Sequence, residues 1–349
     1  MSVEVLSAGP MLTVQDVGRQ GLRRFGVSTA GPMDGPALAL ANALCGNPPA
    51  AAALEFASLG GSFTTSRPLR FAVTGGDCDL RVDDRPLVQG ESYRLNPGEV
   101  LKVGMLGGAV WGYIGFSGGI SVPPTLGSRS THLRSGLGGV EGRILRAGDI
   151  LPLGPDAAQD VCLRPGIPQR PFIQGSIRIV LGPQDDYFTP DVLALLSRSA
   201  FVVTPRRDRM AMVLDGSEIP AVRGHDIVSD AVVPGSIQVP GSRQPMVLMA
   251  ESQTTGGYPK IATVISADLP RLAQLSTGAH LRFAVVSRDE GEDIWLAHAK
   301  SLRATLAGLL PKSEGLLQSD YLLSCNLISG VIAADDMGTP NWAPDGSSQ

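Results

Sequence analysis

Glycine and proline punctuate this chain from end to end. With 43 glycines and 27 prolines in 349 residues, the intervals between them suit short strands and tight turns far better than long helices. The intervals are apolar. Between residues 53 and 152 the runs ALEFA, SFTTS, LRFAVTG, CDLRV, SYRLN, VLKVGM, VWGYIGF and GRILRAGDILPL follow one another, each bounded by Gly, Pro, Asp or Asn. Strands of about five residues at this density predict a closed or nearly closed β structure, a barrel or a barrel-like sandwich, because an open sheet would leave long edges unpaired. The expected fold class is mainly β with a few short helices.

From Ser176 the same texture returns in IRIVLGP, FVVTP, AMVLDG, SIQVP, PMVLMAE, IATVI and LRFAVV. Between the two series lies GPDAAQDVCLRPGIPQRPFIQ, rich in proline and without periodicity. A chain of this length can bury two modest cores. The organisation predicted is a first β-barrel domain over 1–155, a linker over 156–175, a second barrel over 176–290, a helical segment over 291–334 and a disordered polar tail over 335–349. Pro36 to Leu44 reads as a helix capped by Asp34 and stopped by Gly46-Asn47-Pro48. Further helices are expected at Pro190 to Arg198 and at Asp268 to Leu275. Another is expected in DIWLAHAKSLRATLAGLL, where Ile294, Leu302, Leu306 and Leu309 recur at near-helical spacing and would pack on the second domain.

A net charge of −4 with no basic run offers nothing to nucleic acid. Cys45, Cys78, Cys162 and Cys325 are far apart and lack CxxC or Cys/His spacing, so no zinc site or disulfide frame is expected and the thiols read as reduced. No basic segment leads into an apolar stretch at the N-terminus, and no window approaches the ~18 apolar residues of a membrane span. A cytoplasmic location without membrane contact is the expectation. Phosphate-loop and HExxH patterns are absent from the sequence.

Three clusters carry more polar chemistry than a β core requires. The first joins Gln15, Asp16, Gly18 and Arg19 to Asp34, Asn42, Asn47 and Glu55. Its glycines would allow close approach to a ligand; equally, Asp16 and Arg19 would pair and Asp34 would only cap a helix. The second, FSGGISVPPTLGSRSTHLR, gathers Ser128, Ser130 and Thr131 around Arg129, which suits a carboxylate or phosphate. The alternative there is a turn whose hydroxyls satisfy their own backbone. The third, SQTTGGYPKIATVI, sets Gln253, Thr254, Thr255, Gly256, Gly257, Tyr258 and Lys260 between apolar strands. The glycine amides would face an anion, or the segment is a turn with Lys260 in solvent. Arg206-Arg207-Asp208-Arg209 and Ser236-Ile237-Gln238-Val239-Pro240 belong to the same picture.

These clusters carry a resemblance. TVQDVGRQG, GVSTAGPMDGPALALANALCGN, ALEF, FSGGI, LGSRST, GRILRAGD, DRM, SIQVP and QTTGGYPKIATVI resemble, in order, the allophanate hydrolase subunit 2 or KipA-like family of biotin-dependent carboxyltransferase relatives. The resemblance runs from about Leu6 to Arg288. It departs at Ala211 and Val213-Leu214, where the family has Gly and then Arg-Leu, and at Glu251, where the family has Asp.

The resemblance implies two tandem cyclophilin-like β-barrel domains and the place of a C-type subunit, inactive alone, in a multi-subunit ATP-dependent 5-oxoprolinase. Its partners would be a KipI-like B-type subunit and a LamB/YcsF-like A-type subunit, its small-molecule substrate a cyclic amide, and MgATP would be consumed. Lys260, Arg129 and Asp16 are then the candidate catalytic residues. Gln15, Arg19, Asp34, Asn42, Asn47, Gln238, Gln253, Thr254, Thr255, Gly256, Gly257 and Tyr258 are the candidates for binding substrate. No metal ligands are assigned. The alternatives are the carboxyltransferase component of a biotin-dependent urea or amide carboxylase, with biotin brought by another protein, and a KipA-type regulator of a histidine-kinase inhibitor.

Overall fold

The computed structural model describes residues 1–158, 160–166 and 175–312. The expected tail over 335–349, the helical segment beyond 312 and the middle of the expected linker lie outside these residues. The apolar runs of the first half form two sheets. One has the order Ile150–Pro152, Ser2–Ala8, Leu59–Thr65, Leu101–Gly107, Asp77–Val82, Arg85–Leu87. The other has the order Thr13–Gln15, Ala53–Ala57, Trp111–Phe116, Leu69–Thr74, Ser92–Leu95. The chain passes from one sheet to the other at Ser58, a non-glycine residue at φ 63°. Val3, Val5, Phe63 and Val103 from the first sheet share one core with Leu54, Phe71, Val73 and Phe116 from the second. Phe63 and Phe116 meet edge-on across it, with ring centroids 6.2 Å apart. The first half therefore takes the sandwich form of the expected β structure.

The second half closes. Ile177–Leu181, Lys260–Val264, Ser236–Gln238, Met246–Leu248, Ala211–Asp215, Ala200–Arg207 and His280–Val285 form a closed barrel in that order. The seam is a parallel pairing of Ile177 with Phe283 and Ile179 with Val285. Closure leaves no edge strand to protect. The barrel core continues into the first half through Met33, Leu38, Trp111 and Tyr113.

Among the described residues four α-helices lie over the strands: α1 (Gly35–Leu44), α2 (Pro190–Arg198), α3 (Leu269–Ala273) and α4 (Arg288–Ala307). Asp34 caps α1, accepting from the Ala37 amide at 3.0 Å, and Pro36 stands in its first turn. α4 starts earlier than its apolar spacing suggested, at a capping box in which Ser287 and Glu290 bond each other's backbone. Gly291 lets α4 press on Ile265 and Val180. α4 departs from expectation in two ways. Leu309 lies beyond the helix in the strand Leu309–Pro311, and Leu306 and Leu309 pack on Leu40, Leu44 and Cys45 of the first half rather than on the second.

The described part of the expected linker contains a strand and an ion pair. Leu163–Pro165 pairs antiparallel with Leu309–Pro311, and buried Arg70 grips Asp156 with both carboxylate oxygens at 2.7 and 2.8 Å. Among the described residues no helix is long and apolar enough to cross a membrane.

Candidate active site

The loop from Asp16 to Asp34 leaves the sandwich half and lies against the barrel half. Gly18 pinches it shut: the Arg19 amide donates to the Thr29 carbonyl at 2.8 Å, and at φ 80° a side chain on Gly18 would strike that same carbonyl. The Ser128 and Ser130 hydroxyls of the second cluster gather around Asp16 and not around Arg129, and the Thr131 hydroxyl donates to the Val14 carbonyl at 3.1 Å. Asp16 Oδ1 accepts from Ser128 Oγ at 2.5 Å, Ser130 Oγ at 2.7 Å and the Gly18 amide at 2.9 Å. Its Oδ2 accepts from the Arg129 amide at 2.6 Å. Burial pushes the Asp16 carboxyl up, and these four donors outweigh it and hold the group below its ordinary value.

Arg19 is not ion-paired with Asp16. It is 1% exposed, and donates from Nη2 to the Ser130 carbonyl at 2.8 Å and from Nε to the Thr125 carbonyl at 3.2 Å. The Arg129 guanidinium donates through Nε to the Val122 carbonyl at 2.8 Å.

A second network lies behind the loop. Arg209 is 2% exposed and is gripped by Glu55 from the sandwich half and, at 2.6 Å, by Glu251 from its own half. Its Nη2 donates to the Gly31 carbonyl at 2.5 Å, and its plane lies 5.9 Å from the Trp111 ring centre. Glu55 Oε2 accepts from the Tyr113 hydroxyl at 2.6 Å and the Met33 amide at 2.8 Å, and the Asp34 amide donates to the same hydroxyl at 2.7 Å. Burial drives the Tyr113 hydroxyl well above its ordinary value, so it remains a donor. From the barrel side, Gln274 donates to Asp34 Oδ2 at 2.9 Å and accepts from the Val110 and Trp111 amides at 2.9 and 2.8 Å.

The third cluster runs from exposed Thr255 and Tyr258 to a buried lysine. Lys260 is 3% exposed and its Nζ meets Asp230 Oδ2 at 2.5 Å; Lys260 holds that carboxyl below its ordinary value. Asp230 and Ala231 pair with Gly256 and Thr255. Gly256 has no side chain where the Gln238 amide and Val232 stand, so a bulkier residue would push Gln238 aside. Arg23 reaches across from the first loop, donating from Nη2 to the Val232 and Gln253 carbonyls, both at 2.7 Å.

The structure thus brings Gln15, Asp16, Arg19 and the Arg129 backbone together in one cluster. Gln238, Gln253 to Tyr258 and Lys260 form another, with Arg23 joining the two loops. Asp34 belongs to the network behind. Asn42 and Asn47 stand apart: Asn47 Nδ2 donates to Asn42 Oδ1 at 3.3 Å and to the Phe116 carbonyl at 2.8 Å, and Asn42 Nδ2 donates to the Ala51 carbonyl at 2.7 Å. They close the turn after α1.

A cavity of about 540 Å³ lies beyond Asp34 and Gln274, lined also by Arg178, Asp268, Arg271 and α4. It touches none of the other candidate residues. The loop clusters, by contrast, concentrate unpaired polar atoms. Among the described residues, the buried side-chain atoms without a partner are Gln15 Oε1, Arg19 Nη1, Arg23 Nη1, Trp111 Nε1, Gln238 Oε1, Ser252 Oγ and Gln253 Oε1. Buried polar groups are normally paired, so such a concentration marks donors and acceptors available to a bound molecule.

Sequence reasoning did not single out Arg23 or Gln274, and it saw Arg209 only as part of an arginine-rich turn able to complete an anion site. The Arg-Arg pair within a glycine-rich loop and the Asp-Arg-Met motif were the visible signals for Arg23 and Arg209. Gln274, inside an ordinary helical stretch, gave none.

Residues 25–285 match the family described as carboxyltransferase domain, subdomain A and B. The chain is 38% identical over 291 residues to the C-type subunit of 5-oxoprolinase from Escherichia coli, covering 82% of this chain and 92% of that one. It is 37% identical over 289 residues to the corresponding 5-oxoprolinase subunit from Haemophilus influenzae, with the same coverage. Its fold matches the crystal structure of the K. lactis urea amidolyase with a TM-score of 0.80 at 27% identity over 90% of this chain, which spans only 21% of that much longer protein.

Proposed function

The chain belongs to the carboxyltransferase domain family, subdomains A and B, and from that premise we propose that it is the C-type subunit of an ATP-dependent 5-oxoprolinase that converts 5-oxo-L-proline to L-glutamate. The observation that carries this reading is a similarity to the two bacterial 5-oxoprolinase subunits that covers 82% of this chain and 92% of each of them. The proposed hetero-oligomer contains a KipI-like B-type subunit and a LamB/YcsF-like A-type subunit, works in the cytoplasm, and is inactive when this chain is alone.

An unstrained lactam is a poor electrophile; transfer of the ATP γ-phosphoryl group to the amide oxygen activates the ring carbon toward water. The C–N bond then breaks with a proton to nitrogen, and hydrolysis of the resulting γ-acyl phosphate releases glutamate and phosphate. The residues must then hold a small ring and stabilise negative charge in a dry, preorganised setting. Lys260 and Arg129 supply cations, and the amides of Gly256 and Gly257 supply donors. Gln15, Gln238 and Gln253 present amide groups suited to a lactam's own N–H and C=O. Asp16, with its four donors, is suited to keeping the loop in place. Which subunit binds ATP is left to the partners.

The test is glutamate release from 5-oxoproline and MgATP by this chain alone and mixed with both partners. Release only in the full mixture supports the proposal. No release from folded, associated subunits removes it. In that event the fold shared with urea amidolyase favours carboxyl transfer from biotin to urea, tested by dependence on biotinylated partner, bicarbonate and urea. The described chain presents no Met-Lys-Met segment to carry biotin itself.

A further inference from the structure

Among the described residues most buried or half-buried cations have counter-charges; half-buried Arg129 instead donates to the Val122 carbonyl. Arg209 has Glu55 and Glu251, Lys260 has Asp230, Arg70 has Asp156, and Arg178 and Arg271 share Asp268. Arg19 feels Asp16 and Glu251. Arg207 has no carboxylate, but its guanidinium donates to the Ala273 and Leu275 carbonyls at the end of α3, where the helix dipole supplies negative potential.

Arg23 has neither device. Its Nη2 is used by the Val232 and Gln253 carbonyls, its Nη1 is buried and unpaired, and burial alone depresses its basicity with no carboxylate opposing. A half-buried guanidinium with one nitrogen withdrawn from water and unpaired costs free energy that an incoming anion would recover in part.

The surroundings narrow the anion. Next to the Gln253 carbonyl that Arg23 grips stand Gln253 Oε1 and Ser252 Oγ, both buried and unpaired. On the other side, Val232 adjoins Gly256 and the Gln238 amide, whose Oε1 is also unpaired. A planar cation held by the Val232 and Gln253 carbonyls thus adjoins residues whose side-chain oxygens lack a partner. A small ring bearing a carboxylate next to an amide N–H meets both needs, whereas a phosphate group brings no N–H and urea brings no negative charge. Resting on the 5-oxoprolinase reading, we infer that Arg23 recognises the carboxylate of the substrate while Gln253 accepts from the ring N–H. This makes Arg23 the residue that separates a carboxylated cyclic amide from a neutral amide.

The experiment uses the assembled complex with wild-type, Arg23→Gln and Arg23→Lys forms of this chain. Kinetics on 5-oxoproline are compared with those on 2-pyrrolidinone, the same ring without its carboxylate, measured as a substrate or as a competitive inhibitor. Losing hydrogen bonds to a charged group predicts that Arg23→Gln lowers kcat/KM for 5-oxoproline by about 10- to 100-fold. Its constants for 2-pyrrolidinone and its KM for MgATP should stay within about 3-fold of wild type. Arg23→Lys keeps the charge without the fork and should fall between the two; it also serves if Arg23→Gln fails to assemble.

Equal losses on both rings, a change confined to KM for MgATP, or no loss at all overturns the inference while leaving the functional reading intact. A wild-type complex that releases no glutamate overturns the functional reading, and this inference with it.

Discussion

Arg209 is sealed from solvent between two carboxylates contributed by different halves of the chain. Such a group is worth little as an isolated ion pair, because desolvation offsets the attraction, yet removing one member leaves charge stranded in a dry place. Arg209→Met strands both Glu55 and Glu251 and should destabilise the fold by about 3–5 kcal/mol, read as a lower urea midpoint. Adding Glu55→Gln and Glu251→Gln to that variant should restore part of the loss, since no buried charge then remains unpaired. A triple variant weaker than Arg209→Met would show that packing on Trp111, not charge, dominates.

Asp16 makes a different prediction. Its folded carboxyl titrates below its ordinary value, so the stability it contributes is complete above the unfolded pKa and is lost as pH falls through the lower folded one. Asp16→Asn has no such proton to bind. The difference in melting temperature between wild type and Asp16→Asn should therefore be full at neutral pH and narrow below about pH 4. A difference that stays constant to the acid limit would mean that the four hydrogen bonds do not depend on ionisation.

At the scale of elements, the sequence revealed strands far better than it revealed contacts. The runs ALEFA, LRFAVTG, VWGYIGF, FVVTP and LRFAVV all became strands because a short apolar run between turn residues has few other ways to bury itself. α1 was readable from its cap, Asp34, and from the helix formers after it; α2, expected over Pro190 to Arg198, is capped by Thr189 with a proline in its first turn. Leu163–Pro165 escaped notice because its pairing partner, Leu309–Pro311, is nearly 150 residues away, and nothing local announces a long-range ladder.

The site shows the same asymmetry. The polar clusters were visible as residues out of place in a β protein, but sequence does not say which group satisfies which. Ser128 and Ser130 looked like companions of Arg129 and belong to Asp16. Lys260, which sequence could as well leave in solvent, is held inside by Asp230. Asn42 and Asn47, adjacent to the motif in sequence, close a turn instead.

At the scale of the whole molecule, the two β halves have separate hydrogen-bonding ladders and a shared interior. Met33, Leu38, Trp111 and Tyr113 of the sandwich half complete the barrel's core, and burying such side chains contributes roughly 1.5–3 kcal/mol each. Gln274 adds a polar fastening, its one side chain bonding two amides, the Trp111 carbonyl and Asp34 of the other half. With the interface this dry, neither half can unfold without exposing part of the other's core, so the described chain should melt as one cooperative unit. Calorimetry should show a single transition in the wild type. Gln274→Leu, which leaves the Val110 and Trp111 amides unpaired, should move that transition down by an amount reflecting about 1–3 kcal/mol per buried group without dividing it. Two well-separated transitions in the wild type would instead mean that the halves are stable alone, and that the clusters of the candidate site come into register only when the halves dock.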